Sequence, residues 1–235
     1  MKSIKFMSVT ELSPQDQSLT RSQLKSRYVL YGKRIFDLVI AVSSLIILLP
    51  MMALISLIIV INSPGSPIFI QERVGRKGKR FYIYKFRTME NNYDSENDRA
   101  FMQAYISGQL DGDKVNEDVY KPNNHSKITK FGKILRVTSL DELPQIFNIL
   151  KGDMSMVGPR PNVAWEVEKY SDWHKGRLKV LPGITGLAQV RGRSSLTFND
   201  LVQHDIEYIE NLSFKQDLHI LWLTALMVLR GVGAR

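Results

Sequence analysis

The sequence predicts an α+β fold: a mostly helical, membrane-associated protein with a small β-hairpin. Three observations predict it. Residues 38–61 form an apolar run of 24 residues without a charge. Residues 63–89 carry β-branched and aromatic residues on both sides of a "GRKG" turn, as a hairpin does. Apolar residues at helical spacing return after residue 127 and fill the last 30 residues of the chain.

The charge of the chain indicates an anionic partner. A net charge of +9 over 235 residues favours nucleic acid, a phosphorylated small molecule or an anionic membrane surface. Residues 90–126 reverse this trend, with eight acidic side chains against three basic ones. The chain has no cysteine, which excludes disulfides and thiolate nucleophiles.

Composition divides the chain into three regions. Residues 1–31 are predicted to be a flexible polar segment and residues 32–62 a membrane anchor. Residues 63–235 are predicted to form one domain at the membrane surface, with a polar insertion at 90–126.

The apolar run is compatible with two membrane topologies. As a straight helix it would be about 36 Å long, enough to cross a bilayer core of about 30 Å. Pro50 near its middle would kink the helix. Ser43 and Ser44 are placed to bond carbonyls that the proline frees. Lys and Arg flank the run on both sides, as cytoplasmic flanks do. A spanning helix and a re-entrant helix that turns at Pro50 therefore both fit.

An acidic pair, Asp141 and Glu142, stands between leucines in "SLDELPQIF". One interpretation is structural: Ser139 and Glu142 form a capping box, or Asp141 caps a helix with Pro144 at its third position. The other is chemical. A carboxylate at a helix start stays ionised, and an ionised Asp can attack phosphorus. The neighbouring Glu could then hold a divalent cation or a proton.

Basic segments rich in Gly and Pro fit a phosphate substrate. The prolines of "GPRP" hold an arginine in extended backbone, and the glycines of "PGITGLAQVRGR" permit close backbone approach to an anion. "KFRTM" adds two cations at the end of a predicted strand. Each segment taken alone also fits an ordinary turn with solvated side chains. The cationic candidates are Lys85, Arg87, Arg160, Arg191 and Arg193.

Taken together, these motifs resemble the bacterial sugar transferase family, the monotopic polyprenyl-phosphate phosphoglycosyl transferases. The similar motifs occur in order over about residues 32–230. They are "KRIFDLVIA", "QERVGRKGKRFYIYKFRTM", "GKILRVTSLDELPQIFNILKGDMSMVGPRP", "LPGITGLAQVRGR" and "DIEYIENLSF". Larger relatives carry further transmembrane helices before this core, so the chain resembles the minimal members.

The resemblance implies an enzyme, a phosphoglycosyl transferase. It would transfer a sugar 1-phosphate from a UDP-sugar to undecaprenyl phosphate and release UMP. This step initiates the synthesis of exopolysaccharide, capsule, O-antigen or another glycan. The family's chemistry is ping-pong and requires Mg²⁺. Asp141 corresponds to the nucleophile, and Glu142 lies beside it and the metal, so both residues are expected at the Mg²⁺ site.

The resemblance also implies a set of substrate contacts. Arg160 would touch the nucleotide, and Arg136 would position an acidic partner such as Asp205. The full set is Lys85, Arg87, Arg136, Arg160, Pro161, Gln189, Arg191, Arg193 and Asp205. The family's membrane element is a re-entrant helix broken at a proline, which favours that topology at Pro50.

The expected partners are the UDP-sugar, undecaprenyl phosphate and membrane lipids, without nucleic acid, and a homo-oligomer is left open. The expected location is the cytoplasmic face of the inner membrane. Two other classes of protein share part of the pattern. One is a membrane-anchored basic module that binds nucleic acid or anionic lipid without catalysis. The other is a scaffold in a polysaccharide assembly complex whose acidic pair is vestigial.

Overall fold

A computed structural model of the chain describes residues 28–90, 102–107, 128–192 and 196–231. The helices are α1 (Lys33–Asn62), α2 (Lys130–Val137), α3 (Ile146–Lys151), α4 (Ala164–Val167), α5 (Leu187–Arg191), α6 (Phe198–Glu210) and α7 (Phe214–Leu229). The strands are β1 (Ile68–Val74), β2 (Arg80–Phe86), β3 (Ser155–Val157) and β4 (Gly183–Thr185). The predicted α+β, mostly helical fold is confirmed.

The predicted hairpin is present as β1 and β2. The strands pair antiparallel, from Ile68 opposite Phe86 to Val74 opposite Arg80. The "GRKG" segment closes the turn because Lys77 and Gly78 both take left-handed backbone, with φ of 58° and 78°. Since glycine reaches this conformation at no steric cost, it suits the turn.

A second sheet was not predicted. β3 and β4 pair in parallel, with Ser155 opposite Gly183 and Val157 opposite Thr185. The sequence predicts a loop or turn for the segment that contains β4 and makes no assignment for β3; each strand is three residues long and is bordered by Gly or Pro. The sheet holds the "GPRP" loop, which follows β3 directly.

Both halves of α1 contact the rest of the domain. In the first half Ala41 is buried among residues of the hairpin and α3. In the second half Met52, Ile55 and Ile59 are buried among residues of the hairpin and α2. Most of the helix surface stays exposed: only 17% of its most apolar 18-residue window is buried. The helix is long and apolar enough, by length and composition, to cross a membrane.

Pro50 lies inside α1, and helical structure continues through it from Lys33 to Asn62. The predicted break therefore does not take the form of an unwound segment. Ser43 donates to the carbonyls of Val39 and Ile40, at 2.7 and 3.1 Å. These carbonyls precede the one that Pro50 leaves unbonded, at position 46, so the predicted role of Ser43 is wrong. The re-entrant path of the helix stays a prediction.

Asp217 of α7 ties the start of α1 to the C-terminal helices. Its carboxylate is fully buried and accepts hydrogen bonds from Tyr28 Oη at 2.6 Å, Lys33 Nζ at 2.7 Å and Tyr208 Oη at 2.7 Å. The buried charge is thus compensated by one cation and two hydroxyl groups. Residues 1–27 of the predicted N-terminal segment lie outside the described residues.

Replacing Asp217 by Asn is expected to destabilise the protein by about 3 kcal/mol, because it leaves the Lys33 ammonium buried without its counter-charge. Thermal unfolding of the detergent-purified protein measures the effect as a lower Tm. Asp172→Asn is the matched control, since Asp172 pairs with Lys175 in solvent, and its replacement should leave the Tm nearly unchanged. Equal Tm values for the two variants would contradict this account of α1 attachment.

Part of the predicted polar insertion packs on the domain. Residues 102–106 form a short helix. Tyr105 and Ile106 are buried in a cluster with Phe198 and Val202 of α6, and Tyr105 Oη donates to the Leu196 carbonyl at 2.8 Å. The acidic composition of the surroundings hid this short apolar stretch from sequence inspection. Residues 91–101 and 108–127 lie outside the described part of the chain.

The apolar C-terminal stretch is helical, as predicted, but it forms two helices. α6 ends at Glu210, and α7 begins after Ser213, whose hydroxyl accepts from the Gln216 amide. A hydroxyl in this position satisfies a free amide at the helix start. Leu218, Trp222 and Leu229 on α7 remain exposed, so α7 carries an apolar surface as α1 does.

Candidate active site

The acidic pair lies in a tight turn between α2 and α3. Ser139, two residues after the end of α2, has a φ of 56°, a left-handed conformation that is uncommon for serine. A 3₁₀ turn, Leu140–Gln145, follows at once and contains Asp141, Glu142 and Pro144. The Ser139 side chain makes no capping hydrogen bond there. Both predicted caps are therefore wrong: Ser139 stands at the cap position without a capping bond, and Asp141 lies inside the turn, two residues further on.

Apolar contacts fix this turn against α1. Leu140 and Leu143, which flank the acidic pair, pack in the cluster that contains Met52, Ile55 and Ile59 of α1. The two leucines therefore place the carboxylates of the pair close to the second half of α1.

Asn148 on α3 fixes the same region against β2. Its side chain donates to the Tyr82 carbonyl at 2.6 Å and accepts from the Tyr84 amide at 3.1 Å. This buried amide satisfies the free edge of the strand. It also sets the position of Lys85, the next residue of β2, relative to the 3₁₀ turn.

Glu142 binds two cations. Its Oε1 lies 2.8 Å from Lys85 Nζ and 3.0 Å from Arg160 NH1. Burial alone would raise the pKa of Glu142, but the charges and hydrogen bonds of Lys85 and Arg160 outweigh it and hold that pKa well below its ordinary range. Glu142 is therefore a fixed anion, and a poor candidate for carrying a proton.

Asp141 differs from its neighbour. Burial, with the charge of Glu142 added, raises the pKa of Asp141 above its ordinary value, although Lys85, Arg160 and Arg136 offset part of the shift. A carboxylate with a raised pKa is more basic and hence a better nucleophile once it is ionised. Two adjacent carboxylates with pKa values moved in opposite directions are typical of a site with divided roles.

Two further arginines belong to this region. Arg136, which was predicted, donates from Nε to Thr88 Oγ1 at 3.0 Å and acts electrostatically on Asp141. Arg73 on β1 was missed. It donates to the Pro161 carbonyl at 3.2 Å, while burial and the nearby charge of Arg160 lower the pKa of Arg73 to about 10.

The pairing of β1 with β2 would have identified Arg73 as a residue near Lys85. Residues opposite each other share a face, and alternate residues of one strand share it too. Arg73 stands opposite Phe81. Phe81 lies four residues before Lys85 on β2, so the two share a face, and Arg73 and Lys85 therefore project from the same face of the hairpin.

Other predicted residues bind parts of the protein itself. Arg87 donates to the carbonyls of Ser63 and Pro64 after α1. Gln189 donates to the Ile184 carbonyl at 2.9 Å. These contacts give Arg87 and Gln189 a supporting function in the fold.

The last predicted residues are two arginines and one aspartate. Arg191 binds Glu207 through both terminal nitrogens of its guanidinium group, NH1 and NH2. Among the described residues Asp205 pairs with Arg177, at 2.7 Å, and not with Arg136, so that predicted pairing is wrong. Arg193 lies outside the described residues.

The acidic pair could hold a magnesium ion whose other ligands come from phosphate and water. Within the described part of the chain, no three or more His, Asp or Glu side chains come together as a metal-binding group. Mg²⁺ is commonly held by one or two carboxylates, with phosphate oxygens and water as its other ligands. Asp141 and Glu142 supply two such carboxylates, and a diphosphate would supply the rest.

Comparison with known proteins shows the family of the chain. The family model described as Bacterial sugar transferase matches residues 28–231. An undecaprenyl-phosphate galactose phosphotransferase of Salmonella typhimurium is 41% identical over 91% of this chain and 44% of its own length. A UDP-glucose:undecaprenyl-phosphate glucose-1-phosphate transferase of Xanthomonas campestris is 38% identical over 87% of this chain and 40% of its own length.

A shorter relative matches over most of its length. The sugar transferase EpsL of Bacillus subtilis, whose activity is uncharacterised, is 38% identical over 86% of this chain and 89% of its own length. The chain therefore spans less than half of the two larger relatives and nearly all of the shorter one. Since the family model covers most of the chain, including Lys85, the acidic pair and the "GPRP" loop, the chain belongs to the bacterial sugar transferase family.

Proposed function

We propose that this chain transfers a sugar 1-phosphate from a UDP-sugar to undecaprenyl phosphate through a covalent phosphosugar intermediate on Asp141. One observation carries the proposal. Asp141 stands beside Glu142, an anion fixed by Lys85 and Arg160, in a turn whose leucines pack on an apolar helix. The names of the Salmonella and Xanthomonas relatives support undecaprenyl phosphate as acceptor, and the Xanthomonas name supports a UDP-sugar as donor.

In the first step an oxygen of the Asp141 carboxylate attacks the β-phosphorus of the UDP-sugar. The bond from this phosphorus to the oxygen that bridges it to the α-phosphate breaks, and UMP leaves with the electron pair. Lys85 and Arg160 lie beside the acidic pair and offset the charge that develops on the leaving phosphate. The product on the enzyme is a mixed anhydride of Asp141 and the sugar phosphate.

In the second step a phosphate oxygen of undecaprenyl phosphate attacks the same phosphorus. The bond between Asp141 and phosphorus breaks, which restores the carboxylate and leaves the sugar on a lipid diphosphate. Dividing the transfer in this way lets one site serve a water-soluble donor and a lipid acceptor in turn. Asp141 and Glu142 would hold Mg²⁺, which when bound supplies positive charge to the diphosphate.

The exposed apolar surface supports a location at the membrane. Ile46 and Ile47 of α1 are about three-quarters exposed, at 75% and 74%, and Trp222 and Leu229 add to this surface from α7. Exposed apolar area of this extent favours contact with lipid. In the proposed topology α1 enters and leaves the cytoplasmic face of the inner membrane, where the turn with Asp141 meets the lipid phosphate. The lipid-linked sugar would begin exopolysaccharide, capsule, O-antigen or another glycan.

Release of UMP by the purified protein tests the proposal. We expect one equivalent of UMP per enzyme from the right UDP-sugar in the presence of Mg²⁺, and continuous release when undecaprenyl phosphate is added as well. A panel of UDP-galactose, UDP-glucose and N-acetylated UDP-sugars identifies the donor. No release from any of them would contradict the proposal. Binding to anionic vesicles that weakens steeply with salt, without turnover, would then identify a basic membrane module.

A further inference from the structure

We propose that Arg177, held by Asp205, is a positioning residue that fixes Arg160 beside Glu142 for the first half-reaction; this inference rests on the proposed function. Arg177 lies in the turn His174–Lys179, outside every motif that sequence inspection assigned to the site. Its guanidinium forms hydrogen bonds or an ion pair with Asn162, Tyr170, Arg160 and Asp205, and not with the acidic pair. It acts through the backbone of the "GPRP" loop.

The guanidinium of Arg177 makes four contacts. NH2 donates to the Arg160 carbonyl at 3.1 Å and lies 2.7 Å from Asp205 Oδ2. NH1 donates to Asn162 Oδ1 at 2.9 Å and to Tyr170 Oη at 2.8 Å. Two of the four partners, the Arg160 carbonyl and the Asn162 side chain, belong to the loop that carries Arg160. A planar fork of donors suits this pattern, and a lysine ammonium does not reproduce it.

Both charged side chains are buried, and burying a charge costs free energy unless it is paired. The side chains of Arg177 and Asp205 are each only 2% exposed. Burial raises the pKa of Asp205 to about 6, although Arg177 acts in the opposite direction. A buried ion pair is weak evidence for stability, since apolar residues of similar size often do as well. Fixing the geometry of a loop is something that apolar residues would not do.

The rest of the loop is held at the residues on both sides of Arg160. The Gly183 amide donates to the Pro159 carbonyl at 2.9 Å. Arg73 donates to the Pro161 carbonyl at 3.2 Å, and the Val74 amide donates to the Asn162 carbonyl at 2.8 Å. Arg177 supplies the donor for the remaining carbonyl of this stretch, that of Arg160 itself.

It follows that the loop presents the Arg160 side chain from a fixed backbone. Arg160 is 3.0 Å from Glu142 and stands 47% exposed, at the open side of the site. A long exposed side chain on a mobile loop would lose conformational entropy when it bound the diphosphate. A backbone fixed beforehand removes part of that cost and aligns the guanidinium with the leaving phosphate.

Arg177→Lys tests this function because it keeps the positive charge beside Asp205 and removes the fork. We expect kcat/KM for the UDP-sugar to fall about 10- to 100-fold, the effect of losing hydrogen bonds that orient a charged group. The rate at which undecaprenyl phosphate discharges the preformed adduct should stay within about twofold, because UMP has left by then. Arg80→Lys, an exposed arginine paired with Glu72, is the matched control and should leave both half-reactions unchanged.

A double-mutant cycle separates positioning from general damage to the fold. In an Arg160→Gln background, Arg177→Lys should cause no further loss of kcat/KM for the UDP-sugar. An equal loss with and without Arg160 would overturn the inference, and so would a folded Arg177→Lys variant with wild-type kcat/KM.

Two further outcomes are covered. If Arg177→Lys does not fold, Tyr170→Phe decides, because it removes one partner of Arg177 and leaves the ion pair with Asp205. It should lower the same kcat/KM by about tenfold, the effect of losing one hydrogen bond from a charged donor, and no change would refute the inference. If the wild-type protein releases no UMP, the proposed function fails and takes this inference with it. Wild-type release beside an unaffected Arg177→Lys refutes the inference alone.

Discussion

Replacing Asp141 by Asn should lower the rate of UMP release by at least about 10³-fold, since the amide has no charge and cannot form the phosphosugar intermediate. The loss should appear in the first half-reaction, measured as UMP formed from the UDP-sugar without acceptor. Asn has almost the shape of Asp, so the leucines on either side keep their packing on α1. Wild-type release of UMP by this variant would exclude Asp141 as the nucleophile.

The same variant should be at least as stable as the wild type. Burial raises the pKa of Asp141 in the folded state above its ordinary value of 3.8. A carboxyl group with a raised folded-state pKa favours folding below the unfolded-state pKa, and this contribution is lost as the pH rises through the folded-state pKa. At neutral pH the ionised Asp141 therefore destabilises the fold, and Asn removes that penalty. An equal or higher Tm at pH 7 shows that lost activity is not lost structure, whereas a clearly lower Tm would contradict the burial argument.

Replacing Lys85 by Met is expected to lower kcat/KM for the UDP-sugar by about 10²- to 10³-fold, the effect of removing a charge placed where a leaving phosphate develops its own. Lys85 also holds Glu142, at 2.8 Å. Without Lys85 the Glu142 carboxylate keeps its ion pair with Arg160. Because one of the two charges that lower the pKa of Glu142 is then missing, that pKa should rise.

Lys175→Met is the matched control for Lys85→Met. Lys175 is also paired with a carboxylate, that of Asp172, but its side chain is 55% exposed, so activity should stay within about twofold. Similar losses in both variants would show that the site does not depend on the buried ammonium of Lys85.

The elements that sequence inspection predicted share a strong local pattern. The hairpin follows from alternating apolar residues around a turn with left-handed backbone, and α2 follows from apolar residues spaced by three and four. The contact between the acidic pair and two cations of distant motifs, Lys85 and Arg160, could be foreseen only from the order of motifs typical of the family.

What sequence inspection missed depends on contacts between distant segments. Strands β3 and β4 are three residues long and bordered by Gly and Pro, so no local signal separates them from turns. The strained backbone of Ser139 removed the expected helix cap, and no propensity scale predicts a left-handed serine.

Arg177 shows the same limit at the site. It joins Asp205 on α6 to the "GPRP" loop, and neither partner is its neighbour in sequence. The predicted pairing of Asp205 with Arg136 failed because complementary charge alone does not choose between two arginines. Arg177 is the partner of Asp205 in the structure because both side chains are buried at the same place and neutralise each other's charge there.

Mass spectrometry of the protein can detect the covalent bond that Asp141 is proposed to form with the sugar phosphate. The purified chain is incubated with Mg²⁺ and the donor UDP-sugar, without undecaprenyl phosphate, and then quenched. We expect the mass of the protein to increase by one sugar phosphate less one water, with the adduct located on Asp141 in the peptide map. The adduct should be lost when the acceptor is added. UMP release that requires the acceptor and leaves no adduct, or an adduct on another residue, would contradict the proposed role of Asp141.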